Sequence, residues 1–227
     1  QYLEDNMIEA KNLFKKFDSG DTQIVALDNV SFSVKKGEFI AVTGKSGSGK
    51  STLLYQLGLL DHPTSGEVVI DGVDVGKLSS DDRTRFRLYY LGYVFQDYAI
   101  LPSLSAIENV SLPLLMQGVD AFVAAEKAKA ALERVGLGHR VNNLPSQLSG
   151  GEQQRVAIAR AISHDPKIIF ADEPTANLDT ETSRAVLQCF LDLHKEGQTI
   201  IMVTHEPEYA DLADRIFKLK DGKIISE

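Results

Sequence analysis

The chain of 227 residues has a single cysteine, no long apolar run and no excess of positive charge. Cys189 cannot form a disulfide within the chain, which is typical of proteins from a reducing compartment. No stretch approaches the roughly 20 apolar residues that a membrane-spanning helix needs. The first residues, QYLEDNMIEA, lack the pattern of a signal peptide. We therefore expect a soluble, cytoplasmic chain in which Cys189 is a small buried residue.

The charge balance is acidic, with 32 Asp and Glu against 24 Lys and Arg and a formal net charge of −8. Proteins whose main partner is nucleic acid usually carry the opposite balance, so we do not expect nucleic acid as a partner. Hydrophobic side chains make up 43% of the residues, which is enough for a buried core. The length favours one globular unit with room for a subdomain.

Hydrophobic patterning divides the chain into three parts. Residues 7–76 are strand-like, with a hairpin signal at Asp71-Gly72, and we expect mostly antiparallel sheet there. Residues 102–165 show helical patterning, with Ser105 and Glu108 matching a capping box, which predicts a helical insertion. After Pro166 the apolar runs 167–171 and 199–204 flank a helix at about 180–195, as in a parallel sheet buried on both faces. The pattern predicts an α/β fold.

The sequence GKSGSGKST lies between an apolar strand at 38–43 and a predicted helix from Ser51 to about Leu60. Glycines in such a loop let backbone N–H groups surround phosphates, and the helix N-terminus adds a favourable dipole. We predict that Lys50 reaches the β and γ phosphates of a nucleotide and that Ser51 holds Mg²⁺. The predicted nucleotide-binding residues of this loop are Gly44, Lys45, Ser46, Gly47, Ser48, Gly49, Lys50, Ser51 and Thr52.

Two carboxylates, Asp172 and Glu173, follow the apolar strand 167–171. Open α/β sheets place their ligands at the carboxyl ends of such strands. We expect Asp172 to bind Mg²⁺ and Glu173 to orient or deprotonate the attacking water. Taken alone, the pair is equally compatible with an ordinary solvated strand end, but the glycine-rich loop upstream favours the catalytic interpretation.

Two further strands end in polar residues, at Gln96 and at His205. Gln96 is a candidate ligand of the metal or the water, and His205 a candidate hydrogen-bond partner of the γ-phosphate. Taken singly, each is better explained as a loop residue with satisfied hydrogen bonds. We favour the functional interpretation because four predicted strands would deliver polar residues to one edge.

The segment LSGGE, residues 148–152, precedes a predicted helix. Ser149 and Glu152 match a capping box, which would make the segment a plain helix start. Capping does not explain the two glycines Gly150 and Gly151, since glycine costs about 1 kcal/mol relative to alanine in a helix. Exposed N–H groups at a helix N-terminus bind anions. We therefore predict a second phosphate site, Ser149 to Glu152, that serves the ATP of a partner chain.

These motifs, in this order, closely resemble the nucleotide-binding domains of ABC transporters, over essentially the whole chain. The resemblance implies a RecA-like P-loop NTPase core with an antiparallel β-subdomain (1–96 and 166–227) and an inserted α-helical subdomain (97–165). It implies head-to-tail dimers in which Lys50 of one chain and Ser149 of the other hold the same ATP. In the Asn177-Leu-Asp179 segment, Asn177 and Asp179 would couple the two sites.

The resemblance also implies that an aromatic residue near the N-terminus stacks on adenine. Phe17 in the sequence KKFD looks like that residue, although tyrosine is commoner in the family. Core packing is an equally good explanation of Phe17 from the sequence alone.

Three further segments, 60–66, 108–113 and 155–161, are similar to the lipoprotein-releasing, macrolide-exporting and cell-division branch of the family. Members of that branch act with separate or fused membrane subunits. The expectation is therefore an ATPase at the cytoplasmic face of the cell membrane that drives a separate transmembrane subunit. A nucleotide-gated scaffold of a cell-division complex is an alternative. A soluble ABC ATPase acting on nucleic acid or ribosomes is disfavoured by the acidic charge and by the absence of a second cassette.

Overall fold

The computed structural model describes residues 6–20 and 22–226, which form two compact units. The first unit comprises the described residues up to Thr84 together with those from Gly197 onward, and the second unit comprises Arg85–Glu196. These bounds differ from those of the subdomains predicted from the sequence, and the subdomain division stays a prediction.

The helices and strands before residue 91 are β1 (Asn6–Ser19), β2 (Thr22–Lys35), β3 (Phe39–Thr43), α1 (Lys50–Leu57), β4 (Ser65–Ile70), β5 (Val73–Asp74) and α2 (Ser80–Tyr90). The following ones are β6 (Leu91–Val94), α3 (Ala106–Met116), α4 (Ala121–Arg134), α5 (Gly150–Ile162), β7 (Ile168–Asp172) and α6 (Thr180–Lys195). The last are β8 (Thr199–Val203), α7 (Pro207–Ala210), β9 (Arg215–Lys220) and β10 (Lys223–Ser226).

The first unit contains an antiparallel sheet in the strand order β2-β1-β4-β5. Its predicted hairpin joins β4 to β5 through Asp71 and Gly72, whose φ angles of 47° and 78° are those of a tight hairpin turn. One face of the sheet is apolar and buried, with Ile8 and Leu13 of β1 and Leu27 of β2 at 0% exposure. The strand-like patterning of the N-terminal third is therefore confirmed as antiparallel sheet.

The first unit also contains parallel strands, with β3 paired to both β8 and β9. All five residues of β8 are buried, as are four of the five in β3, which explains their continuous apolar sequences. Val42 of β3 lies opposite Val203 of β8. The segments that follow these two strands therefore start at the same edge of the sheet.

The second unit combines a parallel strand pair with helices. β6 runs parallel to β7, with Val94 opposite Ala171. Helix α5 contacts β6 and the three helices α3, α4 and α6. α4 is alanine-rich and buries Ala124, Ala128 and Ala131 on one face, and such small side chains permit close helix packing. α5 is therefore the central element of this unit.

Most predicted elements are present, with two corrections. α1 ends at Leu57, earlier than the predicted end near residue 60, because Gly58 ends it and Leu59 takes a left-handed φ of 59°. Cys189 is only half-buried, so its prediction as a buried residue is wrong, although partial burial still raises the pKa of its thiol. Within residues 6–20 and 22–226, no helix has the length and apolarity required to cross a bilayer.

Candidate functional site

The loop after β3 turns sharply at its glycines and leads directly into α1. Gly44 and Gly49 have φ angles of 152° and 101°. A Cβ atom on Gly44 would lie 2.4 Å from the Leu219 carbonyl oxygen, and one on Gly49 would lie 2.3 Å from the Ala26 carbonyl oxygen. Both positions therefore require glycine. Among the described residues no side chain caps α1, and the N-terminus of a helix attracts anions.

Lys50 is the first residue of α1, and its side chain is 7% exposed. In the described chain its ammonium donates to one acceptor, the Lys45 carbonyl oxygen at 3.2 Å, and it forms no ion pair. An ammonium carries three donors, and a buried charge is costly unless it is paired. The buried Oγ atom of Ser48 likewise has no hydrogen-bond partner among the described residues. These features fit the phosphates of a nucleotide.

His205 follows β8 in the first unit. Its side chain is about half exposed, and Nε2 lies 3.2 Å from Oε1 of Glu206. Thr204 anchors this turn because its hydroxyl accepts a hydrogen bond from the Glu206 N–H at 3.1 Å. Since β3 and β8 are parallel neighbours, His205 and the glycine-rich loop follow adjacent strands at the same edge, as the sequence predicted.

Phe17 lies on β1 opposite Ile24 of β2. Its side chain is 43% exposed, and Nζ of Lys15 lies 4.9 Å from the ring centroid. The alternative that Phe17 packs in the core is therefore excluded. An exposed ring of this kind offers a face on which a planar base can stack.

Asp172 and Glu173 stand at the carboxyl end of β7 in the second unit. Asp172 is its last residue and only 8% exposed. Glu173 has a left-handed φ of 45° and is followed by the buried Pro174. Left-handed backbone is unfavourable for a residue other than glycine and concentrates at functional sites. The turn therefore holds the Glu173 side chain in a direction that regular strand geometry would not give.

Gln96 follows β6, and its side chain is exposed. Its backbone carbonyl accepts a hydrogen bond from Nδ2 of Asn177 at 3.1 Å. Because β6 and β7 are parallel, Gln96 and Glu173 follow neighbouring strands at one edge of the second unit. The structure thus groups the predicted residues in two sets, one in each unit, and the four-strand edge stays a prediction.

Ser149 and Glu152 form the predicted capping box of α5. The Ser149 hydroxyl accepts from the Glu152 N–H at 3.3 Å, and Oε2 of Glu152 accepts from the Ser149 N–H at 2.8 Å. Nε of Arg140 lies 3.1 Å from Oε1 of Glu152. The Ser149 N–H, followed by the Ser149 hydroxyl and Arg140, lowers the pKa of Glu152. The Ser149 side chain remains exposed at the start of the helix.

The two glycines after Ser149 have packing reasons of their own. A Cβ atom on Gly151 would lie 2.0 Å from Cγ2 of Thr182, and one on Gly150 would lie 2.8 Å from the Tyr98 hydroxyl oxygen. Close packing is therefore a second explanation of these glycines, beside the predicted anion site.

Asp179 caps α6 and is exposed, as is Asn177. Its carboxylate accepts from the Thr182 N–H at 3.0 Å and from the Thr182 hydroxyl at 2.6 Å. The Thr182 hydroxyl, and then the Thr182 N–H, lower the pKa of Asp179. The role in helix capping was not part of the sequence prediction for this residue.

Sequence reasoning missed one residue of this region, Gln154. It is 0% exposed, and Nε2 donates to the carbonyl oxygens of Phe95 at 3.2 Å and Pro174 at 2.7 Å. The available signal was its position in α5, three and four residues before the buried Ala157 and Ile158. A glutamine on the buried face of a helix requires hydrogen-bond partners.

A glycine-rich loop between a buried parallel strand and a helix, with a lysine at the helix start, defines a phosphate-binding α/β protein. The sequence profile of the ABC transporter family matches residues 27–176. An uncharacterized ABC transporter ATP-binding protein of Methanocaldococcus jannaschii is 48% identical over 96% of this chain and 98% of its own length. The chain therefore belongs to the ABC transporter family, as its ATP-binding domain.

Solved structures and a fused relative extend the comparison. The ATP-binding cassette MJ0796, solved as a dimer in a post-hydrolysis state with ADP and Pi, is 42% identical with a TM-score of 0.89, over 96% of this chain and 97% of its own. The macrolide export ATP-binding/permease protein MacB of Chlorobaculum tepidum is 47% identical over 97% of this chain but only 34% of its own length. The predicted α/β fold is confirmed, and the chain is an ATPase cassette.

Proposed function

We propose that two copies of this chain bind ATP between them and use its hydrolysis to drive a separate transmembrane subunit. The observation that carries the proposal is that one chain has two glycine-containing helix starts suited to bind phosphate. One is the glycine-rich loop with Lys50, which is buried and forms no ion pair with the described residues. The other is the start of α5, where Ser149 is exposed beside close-packed glycines. One nucleotide does not need both from the same chain, so the second would serve the partner's ATP.

In this proposal the first unit holds the nucleotide. N–H groups of residues 44–52 surround the phosphates, and Lys50 neutralises the β and γ phosphates. Phe17 stacks on the adenine, since its ring is exposed. His205 donates a hydrogen bond to the γ-phosphate, and its contact with Glu206 would hold the ring in place.

In this proposal a further set of residues carries out hydrolysis. Ser51, Gln96 and Asp172 would hold Mg²⁺, because a hydroxyl, an amide oxygen and a carboxylate are the hard oxygen ligands that this ion prefers. Bound Mg²⁺ neutralises charge on the phosphates. Glu173 is the general base that takes a proton from the attacking water, and its constrained backbone fixes the direction of its carboxylate.

The partner copy completes each site in this proposal. Ser149, Gly150, Gly151 and Glu152 of one chain face the ATP held by the other, and Asn177 and Asp179 couple the two sites. The dimeric form of the solved cassette, which is 42% identical to this chain, supports this arrangement. Asp179 would couple the two sites while it also caps α6, so its position is fixed by that helix.

We propose that the free energy of ATP hydrolysis by this chain drives a membrane subunit. The name of the MacB relative joins an ATP-binding part to a permease, and this chain aligns with 34% of it. We propose that this chain acts at the cytoplasmic face of the membrane on a permease of that kind. Co-expression with a neighbouring permease gene should raise the ATPase rate of the purified complex over that of the chain alone. An unchanged rate would count against a membrane partner.

The catalytic proposal is tested by replacing Glu173 with glutamine. Glu173→Gln should lower the ATP turnover rate by about 100-fold or more, the usual contribution of a general base, while ATP binding is retained. Glu126→Gln is the matched control, because Glu126 lies exposed on α4 and should turn over ATP at the normal rate. Normal turnover by Glu173→Gln would disprove the role of this residue.

A further inference from the structure

Gln154 joins α5 to the two turns of the second unit that carry the proposed catalytic residues Gln96 and Glu173. Its amide is buried at 0% exposure on α5, the helix that begins at Ser149. One hydrogen bond goes to the carbonyl oxygen of Phe95, the residue before Gln96. The other goes to the carbonyl oxygen of Pro174, the residue after Glu173. A single side chain thus bridges the start of the dimer-facing helix and the two catalytic turns.

The Pro174 bond acts on a constrained turn. Glu173 has a left-handed backbone, and the turn is closed by a hydrogen bond from the Ala176 N–H to the Glu173 carbonyl oxygen at 3.1 Å. At 2.7 Å, the bond from Gln154 to Pro174 is short for an N–H donor. It holds the peptide next to Glu173, and thereby opposes relaxation of this residue to an ordinary backbone conformation.

A second residue of α5 fixes the other end of the Gln96 loop. Nη1 of Arg160 donates to the Ala99 carbonyl oxygen at 2.6 Å, and Nη2 donates to that of Tyr98 at 3.1 Å. Tyr98 and Ala99 both have left-handed φ angles, 64° and 49°. The loop is therefore attached to α5 on both sides of Gln96, by Gln154 before it and by Arg160 after it.

The Gln154 amide group donates two hydrogen bonds, but its own oxygen accepts none from the described residues. Its two acceptors are carbonyl oxygens, so only the NH₂ group can face them, which leaves Oε1 buried without a hydrogen-bond partner among the described residues. An unsatisfied buried oxygen is unfavourable. An apolar side chain of the same size would avoid this cost but would leave both catalytic turns without their contact.

We propose that Gln154 is a positioning residue for hydrolysis, which sets the placement of Glu173 and Gln96 relative to the start of α5. This inference rests on the proposed catalytic roles of those two residues. Because α5 begins with the segment proposed to face the partner's ATP, Gln154 also makes the catalytic turns follow any movement of that helix. Its loss should lower the rate of the chemical step and leave ATP affinity unaffected.

The first test replaces Gln154 with methionine, which has a similar volume and no N–H donor. We expect Gln154→Met to lower kcat by at least 10-fold, with a Kd for ATP, measured by equilibrium dialysis, within three-fold of the unmodified protein. The control is Gln117→Met, which removes the Nε2 hydrogen bond to the Leu88 carbonyl oxygen at 2.8 Å. Gln117→Met should keep kcat within two-fold of the unmodified protein, even if it lowers the thermal midpoint as much as Gln154→Met does.

Glu173→Gln is measured in parallel, so that two failures can be told apart. Normal turnover by Glu173→Gln would remove the catalytic assignment on which the inference rests. If Glu173→Gln is inactive while Gln154→Met keeps kcat within two-fold, the positioning role alone is wrong. A parallel rise in the Kd for ATP and fall in kcat of Gln154→Met would also overturn it, since it would indicate general loss of structure.

A second variant, Gln154→Glu, tests the two hydrogen bonds directly. It also tests the positioning role of Gln154 if Gln154→Met does not fold. An ionised carboxylate would repel both carbonyl oxygens, whereas a protonated one can donate one hydrogen bond. The ratio of kcat for Gln154→Glu to kcat for the unmodified protein should therefore rise at least five-fold between pH 8.5 and pH 6. A constant ratio over this range would contradict the proposal.

Discussion

Gly151 and Thr182 make the tightest contact of any glycine site in the described chain. A Cβ atom on residue 151 would lie only 2.0 Å from the γ-methyl carbon of Thr182, which is far inside van der Waals contact. Thr182 cannot turn away freely, because its hydroxyl is bonded to Asp179 at 2.6 Å and a β-branched side chain has few rotamers. The contact ties the start of α5 to the first turn of α6.

Gly151→Ala should therefore destabilise the fold by about 1–3 kcal/mol, the usual cost of overpacking. Adding Thr182→Ser removes the obstructing methyl group and keeps the hydroxyl, so the double variant should recover most of the lost stability. Chemical denaturation of the two single variants and the double variant measures this coupling. Equal stability of Gly151→Ala and its double variant would show that Thr182 is not the obstacle.

At the residue scale, the phosphate-loop residues could be predicted because their chemistry depends on a short contiguous segment. Gln154 could not, because its importance depends on two carbonyl groups that are 59 and 20 positions away in the chain. Phe17 lay between these cases. Its type was informative, but only its exposure in the folded sheet decided between core packing and an available ring.

At the scale of elements, helix starts were predicted best. The capping boxes at Ser105 and Ser149 are formed as the sequence indicated, because a capping box needs only residues three apart. The predicted end of α1 lay about three residues too far along the chain, because Leu59 takes a left-handed conformation and is buried at 1% exposure. Tertiary burial, which a local pattern does not contain, decides such a position.

Helix α4 offers a test of capping away from the proposed site. Oδ1 of Asp120 accepts from the N–H groups of Phe122 at 2.9 Å and Val123 at 3.3 Å. Asp120→Ala should lower the free energy of unfolding by about 1 kcal/mol, whereas Asp120→Asn keeps an acceptor and should change it little. Thermal unfolding and ATPase assays of both variants check this. A large loss of ATP turnover in Asp120→Ala would link α4 to catalysis, which we do not expect.

At the scale of the whole molecule, the order of motifs predicted more than any single motif. A glycine-rich loop alone is compatible with many phosphate-transferring enzymes, and LSGGE alone is compatible with a plain helix start. Together they predicted the family that the comparisons confirm. The identity of the proposed membrane subunit and of any substrate could not be predicted, because we found no residue pattern in this chain that specifies either.

A head-to-tail dimer makes a prediction that other pairings of two chains do not. Ser46 of one copy and Ser149 of the other would lie at the same ATP, while two Ser46 or two Ser149 residues would lie at different sites. Both side chains are exposed. The half-buried Cys189 is first replaced by serine, so that it does not react.

In this background, chains with Ser46→Cys are mixed with chains with Ser149→Cys and treated with a short bismaleimide. Mixed chains should form a covalent dimer when ATP is present and form little without it, as judged by denaturing gel electrophoresis. Each variant alone is the control and should stay monomeric on the gel. Crosslinking of Ser149→Cys to itself would indicate a symmetric contact between the α5 helices and would contradict a shared ATP. Failure of the mixed pair to crosslink with ATP would remove the composite site, and Ser149 would then be only the cap of its helix.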